Sequence, residues 1–359
     1  MRILSNADVE QLLSAQDVLE VLEVAYRELS QNRGHNRPRN HTYFPVEDDR
    51  YPGFRFRFKS QEGGNISSGV WGTRITSDMV GVETLPTGEQ RRRLLPVAPG
   101  GNYVGLVTLF SLTDLAPLAI IHDSVIQKYR VGATTALGIR EMARDDVSVA
   151  GMFGAGWQAA AHIETLFLVR PNIEEVRIYS PTRERREQFA AHWSAKSGRN
   201  VIAVDNPKDA VAGCGIVTAA TATMDPVFDG HWIEPGTHVS CITNPDGTAM
   251  RRELDDTAFD RADKIAVLSR EQVHHDKQYD ILGPVDRGLK RWDDYRELGD
   301  LLLDPKPARS SEDEITIFAN NTGMGIQFAA VGAKILELAE ARNLGHVIPT
   351  EWFVEDTTP

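Results

Sequence analysis

Three small residues near the middle of the chain have the spacing of a turn that binds a pyrophosphate. In the segment "SVAGMFGAGWQAAAH", Gly154 would permit a tight turn, Gly156 would let the backbone approach the phosphates, and Ala159 would let a helix pack closely on a strand. A turn that binds nothing has similar glycines, but here a strand-like run precedes the turn and a helix-like run follows it, which favours a dinucleotide site. The residues expected to contact the dinucleotide are Gly154, Ala155, Gly156, Trp157 and Gln158.

The end of the next predicted strand indicates which nicotinamide cofactor binds. In "IYSPTRERRE", Ser180, Thr182 and Arg183 stand where NAD sites usually present an acidic residue to the ribose 2′-hydroxyl. Hydroxyl groups and a guanidinium suit the 2′-phosphate of NADP instead. The other interpretation is that Arg183, Arg185 and Arg186 face water at the start of a helix. We predict NADP in preference to NAD.

The order of helix-like and strand-like segments divides the chain into two parts. The first thirty residues predict two short amphipathic helices, and strand-like runs follow in "YPGFRFRFK", "GVWGTRITSD", "NYVGLVTLFSL" and "PLAIIHD". From about residue 130, helices and strands alternate, with "PKDAVAG" among the predicted helices, and this alternation is typical of a parallel sheet covered on both faces. We therefore predict an α/β protein with a Rossmann-type doubly wound parallel sheet and a separate α+β domain.

Length and composition agree with two domains and exclude several classes of protein. The 359 residues exceed one ordinary core, and 41% hydrophobic with 25% charged residues is usual for a folded protein. A net charge of −12 with dispersed Lys and Arg argues against nucleic acid as a partner, and no apolar run reaches the ~20 residues of a membrane span. Two cysteines, Cys214 and Cys241, and a start without a basic and then apolar region predict a cytoplasmic protein without disulfides.

Four motifs, taken in order, resemble the ornithine cyclodeaminase and mu-crystallin family. They are "HDSVIQKYRVGATTALG", "FGAGWQA", "PVFDGHWIEPGTHVSCI" and "NNTGMGIQFAAVGAK", within a resemblance from about residue 1 to 340. The resemblance implies a nicotinamide-binding domain at 130–318, inserted into a substrate-binding and dimerisation domain made of 1–129 and 319–359. It also implies a homodimer and hydride transfer at the α-carbon of an amino acid or its imine. Thr221 and Met324 are assigned to the cofactor site.

Family members hold the substrate carboxylate with cations, and two arginines of this chain match them. Arg130 in "KYRVGA" is similar to the arginine that opens a helix in the family, where it would grip a carboxylate with two parallel N–H bonds. Arg39 in "NRPRNH" resembles the family's early arginine, although His41 could occupy that place.

Two positions depart from the family pattern. Arg74 in "VWGTRITSD" stands where the family usually has lysine, so it could anchor a carboxylate but would be a poor acid or base. Cyclodeaminases carry an aspartate soon after the strand equivalent to "THVSCIT", which Asp246 matches only if the alignment shifts by one, and otherwise Pro245 stands there. If Asp246 fills that place, it would manage the proton on an imine nitrogen.

One predicted strand carries more cations than the family pattern has. Arg55, Arg57 and Lys59 alternate with phenylalanines, which gives the strand one cationic and one apolar face. If a cation of this strand joins Arg74 and Arg130, a substrate with a second anionic group becomes plausible. The alternative is an edge strand whose cationic face points to water.

These residues together predict an NADP-dependent oxidoreductase that interconverts an imine or ketimine of a 2-oxo acid with its amino acid. Arg130 and Arg74 would fix the carboxylate in a cleft between the domains, and the cofactor would bring the hydride. Two alternatives are an ornithine or lysine cyclodeaminase and a nucleotide-binding protein without catalysis. The neighbours His274 and His275 would point in different directions on a helix, so we predict no metal site.

Overall fold

The chain forms two compact units, each described here by itself. The computed structural model describes residues 1–84, 90–96, 101, 103–245, 250–304 and 308–355. The first unit comprises Met1–Arg130 and Gly323–Pro359, and the second comprises Val131–Thr322. In the described ranges, no helix is both long and apolar enough to cross a membrane.

Strands and helices follow one another along both units. The strands are β1 (Arg2–Leu4), β2 (Gly34–Asn36), β3 (Asn40–Pro45), β4 (Arg55–Asn65), β5 (Val70–Thr84), β6 (Gln90–Leu95), β7 (Val104–Ser111), β8 (Pro117–His122), β9 (Val149–Phe153), β10 (Glu175–Tyr179), β11 (Asn200–Ala203), β12 (Ile216–Ala219), β13 (His238–Cys241), β14 (Lys264–Val267), β15 (Arg296–Glu297), β16 (Thr316–Ala319) and β17 (His346–Val347). The α-helices are α1 (Asn6–Leu12), α2 (Ala15–Ser30), α3 (Ser124–Met142), α4 (Trp157–Val169), α5 (Arg183–Ser197), α6 (Asp256–Arg261), α7 (Arg270–His275), α8 (Tyr279–Asp286), α9 (Leu298–Leu303) and α10 (Gly325–Ala341). Short 3₁₀ helices lie at Pro207–Ala210, Gly230–Trp232, Trp292–Asp294 and Thr350–Phe353.

The first unit is built on a mixed sheet that α10 covers on one face. Its strands follow the order β17-β1-β8-β7-β5-β4-β2, with β3 paired to β4 and β6 paired to β5. Close approach of α10 requires glycines, because a Cβ on Gly72 would lie 2.9 Å from the Ala329 backbone and one on Gly63 would lie 2.6 Å from the Ile326 nitrogen. The first of the expected helices, α1 and α2, begin at the capping serines Ser5 and Ser14.

The register of β4 and β5 decides which side chains share the face that α10 covers. Gln61 pairs with Arg74, Lys59 with Thr76, and Arg57 with Asp78. Because side chains two residues apart in a strand point to the same face, all three pairs lie on the α10 side of the sheet, which we call the inner face.

The alternative that β4 is an edge strand with its cationic face in water is wrong. Strand β4 lies inside the sheet, between β5 on one side and β2 and β3 on the other, and Arg57 is only 1% exposed. The opposite face, which we call the outer face, carries the apolar residues instead. Its large exposed side chains are Phe44, Phe56, Phe58, Ile75, Val104, Leu106 and Phe110.

The second unit is a doubly wound parallel sheet, which confirms the predicted fold class. Its strands follow the order β11-β10-β9-β12-β13-β16-β14-β15, and all its pairings are parallel. Chain order reverses between β9 and β12, so a crevice opens at the carboxyl ends of these two strands, where such sheets bind ligands.

One predicted helix of this unit is wrong. The segment "PKDAVAG" forms only a single 3₁₀ turn, Pro207–Ala210, because Gly213 at φ +70° turns the chain directly into β12. Both cysteines lie buried at the start and end of neighbouring strands, and burial raises the pKa of Cys214 to about 11, so neither is a reactive thiolate.

Candidate active site

The glycine-rich turn joins β9 to α4 and needs glycine at its first position. Gly154 has φ +115°, a value that favours glycine, and its N–H donates to the Tyr179 carbonyl at 2.9 Å. A Cβ at this position would lie 2.5 Å from the Ala220 carbonyl oxygen. The turn is therefore held between β10 and the segment that follows β12.

Gly156 has a different reason to be glycine. It is the N-cap of α4 with φ −115°, which any residue adopts, and a Cβ added to it would meet no described atom within 4 Å. The space beside it lies in front of the helix N-terminus, whose N–H groups have no side-chain cap. Of the neighbouring predicted residues, Ala159 is fully buried, Trp157 is exposed and Gln158 is half-buried.

A cavity of about 560 Å³ lies at this turn, at the carboxyl ends of β9, β10 and β12. The predicted residues Gly154, Ala155, Gly156, Ser180 and Thr221 line it together with residues that sequence reasoning did not select, and none of the lining residues in the described ranges is acidic. The further lining residues are Phe153, Tyr179, Pro181, Arg185, Ala220, Ala222, Thr223, Pro226 and Val227.

The arginines that follow β10 lie in three different environments. Arg183 is exposed and pairs with Glu187 at 2.7 Å. Neither Arg183 nor Thr182 is among the residues that line the cavity. Arg186 is buried, donates to the Ser180 carbonyl at 2.9 Å and pairs with Asp205. Arg185 is the arginine that lines the cavity. The first turn of α5 thus separates these side chains by their rotation around the helix.

The buried carboxylate of Glu253 fixes the position of Thr221, one of the residues that line the cavity. Glu253 is fully buried and accepts hydrogen bonds from the Thr221 N–H and hydroxyl at 2.6 and 2.7 Å, and from the N–H groups of Ile242 and Thr243 at 2.7 and 2.8 Å. Burial raises its pKa to about 7, although these hydrogen bonds act to lower it. Sequence reasoning missed Glu253, since nothing near it in the chain shows that it joins the ends of β12 and β13.

The "NNTG" motif, which follows β16, makes side-chain hydrogen bonds to the segment after β14 and to α3. The Asn321 side-chain oxygen accepts from the N–H groups of Leu268 and Ser269 at 3.0 and 3.1 Å, after β14. Its amide nitrogen donates to Gln278 at 2.9 Å. Asn320 donates to Thr135 in α3 at 3.1 Å. These side chains make the carboxyl edge of the parallel sheet a connected polar network.

Replacing Gly156 with alanine is expected to weaken dinucleotide binding without unfolding the protein. The added methyl meets no protein atom, but it would occupy the space in which a pyrophosphate reaches the helix N–H groups. Loss of one charge-assisted hydrogen bond costs about 1.5–3 kcal/mol, so the Kd measured by NADPH fluorescence titration should rise roughly 10- to 100-fold.

Gly213 provides the matched control. It also faces open space, but at φ +70°, so Gly213→Ala should lower thermal stability and leave the Kd for NADPH unchanged. Equal Kd values for wild type and Gly156→Ala would contradict the prediction that the pyrophosphate binds at this turn.

In the first unit, three neighbouring side chains contact the guanidinium of Arg74. Its Nε donates to Asp123 at 2.7 Å, its Nη1 donates to Gln61 at 2.5 Å, and the group lies 4.7 Å from the ring centre of Phe328 in α10. Arg74 and Asp123 are both buried. Strand β7, which pairs with β5, has Gly105 next to the Asp123 carboxylate, and a Cβ on Gly105 would collide with that carboxylate. Arg74 is therefore a fixed, permanently charged donor.

Arg130 lies beside Arg74, but its place in the helix differs from the expectation. It is the seventh residue of α3 rather than its first, because the helix already begins at Ser124, directly after β8. Its guanidinium donates to Gln127 and Gln327 at 3.1 and 3.4 Å and lies 5.7 Å from the ring centre of Phe328. Burial and, after it, the charge of Arg74 lower its pKa to about 9, which indicates that the two cations lie close together.

The remaining predicted residues lie in different places. Arg39 is half-buried just before β3, and its charge also lowers the pKa of Arg130. His41 lies opposite Lys59 in the β3–β4 pair. Met324 is buried at the N-cap of α10, in the first unit, whereas the glycine-rich turn belongs to the second. Asp246 lies outside the residues that the structure describes.

The three cations of β4 lie on the same inner face, but their burial differs along the strand. Arg55 is exposed, whereas Arg57 donates two parallel bonds to Asp78, at 2.8 and 2.6 Å. The Lys59 ammonium lies 3.3 Å from the same carboxylate. Burial alone would raise the pKa of Asp78, but the bonds from Arg57 and the charge of Lys59 hold it below its usual range. Arg57 and Lys59 therefore share one carboxylate on the inner face.

The doubly wound parallel sheet, with a glycine-rich turn where its chain order reverses, defines a dinucleotide-binding protein. The model of the ornithine cyclodeaminase/mu-crystallin family matches residues 98–343, and the chain belongs to that family. A putative dehydrogenase of Rhizobium meliloti is 32% identical over 245 residues, which are 67% of this chain and 71% of the relative.

Two solved structures are similar over nearly the whole chain. One is Thermococcus litoralis Δ1-pyrroline-2-carboxylate reductase in complex with NADH and L-proline, at 27% identity and TM-score 0.80, covering 97% of this chain and all of the other. The second is an archaeal alanine dehydrogenase dimer with bound NAD, at 25% identity and TM-score 0.79, covering 97% of this chain and 99% of the other. Family members of this kind reduce imines or oxidise amino acids with a nicotinamide cofactor.

Proposed function

We propose that this protein is an NADP-dependent reductase that converts the imine of a 2-oxo acid into the corresponding amino acid, with the reverse oxidation as the same reaction run backwards. The observation that carries the proposal is the pair of buried guanidinium groups, Arg74 and Arg130, which lie 4.7 and 5.7 Å from the ring centre of Phe328. Two like charges buried this close together favour an anionic ligand, because each cation makes the charge of the other more costly.

The residues of the glycine-rich turn fit a dinucleotide. Gly156 leaves open the space that a pyrophosphate needs, and α4 directs its first N–H groups to the same place. When bound, a nicotinamide cofactor supplies the hydride that adds to the imine carbon. Arg74 and Arg130 would bind the substrate carboxylate and orient the imine for that addition.

Arg74 does not serve as the proton donor in this proposal, since a guanidinium does not readily lose its proton. Asp123 keeps Arg74 in place, because it receives two of its N–H groups, at 2.7 and 2.6 Å. Asp246 stays the candidate for the proton on the imine nitrogen, and this role remains a prediction from the sequence.

The environment of the cavity supports NADP in preference to NAD. Ser180 and Arg185 line it next to the end of β10, and no acidic side chain among the described lining residues would oppose a 2′-phosphate. Arg185 replaces Arg183 in this proposal, because Arg183 is engaged with Glu187 outside the lining.

Replacing Arg185 with alanine is expected to weaken NADPH binding selectively. One charge-assisted bond to the 2′-phosphate is worth about 1.5–3 kcal/mol, so the Kd for NADPH should rise roughly 10- to 100-fold while that for NADH stays within about twofold. Arg183→Ala, two residues away on the same helix, is the control and should change neither Kd. Equal losses for NADPH and NADH in Arg185→Ala would instead indicate a binding role that does not involve the 2′-phosphate.

The activity is tested by mixing NADPH with a 2-oxo acid and ammonia or a primary amine, and with the cyclic imine Δ1-pyrroline-2-carboxylate. Loss of nicotinamide absorbance, with the amino acid as product, is the expected result. Tight NADPH binding without oxidation by any substrate would contradict the proposal and support a binding protein. Ammonia release from ornithine or lysine with no net change of cofactor would identify a cyclodeaminase.

We also propose that the protein works as a homodimer in the cytoplasm. The outer face of the first unit exposes seven large apolar side chains on one sheet, which is more than isolated surface residues would explain. Light scattering should therefore give about twice the chain mass of 39.8 kDa. A cytoplasmic site agrees with the two free cysteines.

A further inference from the structure

The inner face of the first unit holds more positive charge than one carboxylate would neutralise. We call six charged residues of this face the cation cluster. They are the cations Arg57, Lys59, Arg74 and Arg130 and the carboxylates Asp78 and Asp123. Four cations thus face two carboxylates among the described residues of the cluster. Arg92 and Arg39 add further positive charge, because Arg92 lowers the pKa of Lys59 and Arg39 lowers that of Arg130.

The carboxylates of the cluster are already committed to arginines. Asp123 receives Arg74, and Asp78 receives two parallel bonds from Arg57. The Lys59 ammonium lies 3.3 Å from Oδ2 of Asp78, which is farther than either bond from Arg57 to that carboxylate. Burial and the charge of Arg57 lower the pKa of Lys59 well below its usual value, and the charge of Asp78 offsets this only in part.

The register of the sheet places Lys59 next to the proposed carboxylate site. Lys59 and Arg74 occupy diagonal positions on adjacent strands, because Arg74 pairs with Gln61, two residues along β4 from Lys59. Diagonal neighbours on one face are about 7–8 Å apart at the backbone, within reach of long side chains. The Lys59 side chain is also 19% exposed, so part of it is accessible from solvent.

We propose that Lys59 binds a second carboxylate of the substrate, so that the preferred substrates are four- or five-carbon 2-iminodicarboxylates. This rests on the proposed function, in which Arg74 and Arg130 bind the first carboxylate. Reduction adds a hydride to the imine carbon and a proton to the nitrogen, and it leaves both carboxylates unchanged. Together with Asp78 and Asp123, two carboxylates on the ligand would balance the four cations of the cluster.

The first experiment measures binding and does not require turnover. Succinate and butyrate have similar size and differ by one carboxylate, and their Kd values would be measured by thermal shift with NADP present. Wild type should prefer succinate at least tenfold, and Lys59→Met should reduce that preference roughly 10- to 100-fold. Lys59→Arg, which keeps the charge, should retain most of it. Equal Kd values of wild type for the two acids would overturn the proposal.

The second experiment measures turnover with ammonia and either oxaloacetate and 2-oxoglutarate or pyruvate and 2-oxobutyrate. The ratio of kcat/KM for the dicarboxylates to that for the monocarboxylates should fall in Lys59→Met by the same factor as the binding preference. Lys334→Met, on the exposed side of α10 where the lysine pairs with Glu337, is the control and should keep the wild-type ratio.

The outcomes separate this proposal from the proposed function. Reduction of monocarboxylic imines without any preference for dicarboxylates would overturn the role of Lys59 and keep the reductase. A preference for succinate that Lys59→Met abolishes, with no reduction of any imine, would support Lys59 as a carboxylate ligand and contradict the reductase. If both Lys59 variants lowered turnover of both substrate classes equally and left the succinate preference intact, Lys59 would be a proton donor and the proposal would be wrong.

Discussion

Replacing Arg130 with methionine is expected to lower kcat/KM for imine reduction roughly 30- to 3,000-fold while the protein stays folded. Truncating one partner of a buried, hydrogen-bonded charge pair costs about 2–5 kcal/mol. In the free protein, Arg130 donates to the amide oxygens of Gln127 and Gln327, and the loss of these two bonds leaves neutral groups without a donor rather than a charged one. Methionine fills a similar volume against Phe328.

The measurement is steady-state kinetics beside thermal unfolding. Because the loss falls on carboxylate binding, KM should rise strongly, and the Kd for NADPH should stay near the wild-type value. Arg140→Met is the matched control on the same helix, since Arg140 pairs with its neighbour Glu141 at a partly exposed position. A kcat/KM within twofold of wild type in Arg130→Met would show that this arginine does not contact the substrate.

Replacing Arg74 with methionine is expected to damage both stability and activity, and a second substitution should restore only the first. The change leaves Asp123, which is fully buried, without the guanidinium that neutralises it. Breaking a buried ion pair in this way costs about 3–5 kcal/mol, because the remaining charge is not compensated. Chemical unfolding followed by circular dichroism would measure the loss.

The double variant Arg74→Met with Asp123→Asn removes both charges. A neutral buried pair is often as stable as the ion pair, so the free energy of unfolding should return to within about 1 kcal/mol of wild type. Activity should stay low, because the substrate carboxylate has lost a donor. Recovery of activity in the double variant would mean that Arg74 acts only through the fold, and a failure to recover stability would mean that Asp123 has other partners that matter more.

The sequence by itself determined the parts of this protein that depend on neighbours in the chain. The turn at Gly154, Gly156 and Ala159 is such a part, because a strand, three small residues and a helix follow one another within about fifteen residues. The alternation of strands and helices likewise predicted the parallel sheet. The carboxylate-binding role predicted for Arg130 came from its resemblance to a family motif, although its helix begins six residues earlier than expected.

Only the tertiary structure decided which charged groups meet. Asp123 is 49 residues from Arg74 in the chain, and Glu253 is 32 residues from Thr221, so no local pattern joins them. Arg185, and not Arg183 or Arg186, lines the cavity at the glycine-rich turn because of the rotation of α5. Which face of β4 turns inward depends on where α10 packs. The alternation of Phe56, Arg57, Phe58 and Lys59 specifies two unlike faces but not their direction, because the buried face of a strand is set by the elements that cover it. In this protein the cations are on the covered face, where Asp78 partly neutralises them, and the phenylalanines are on the exposed one.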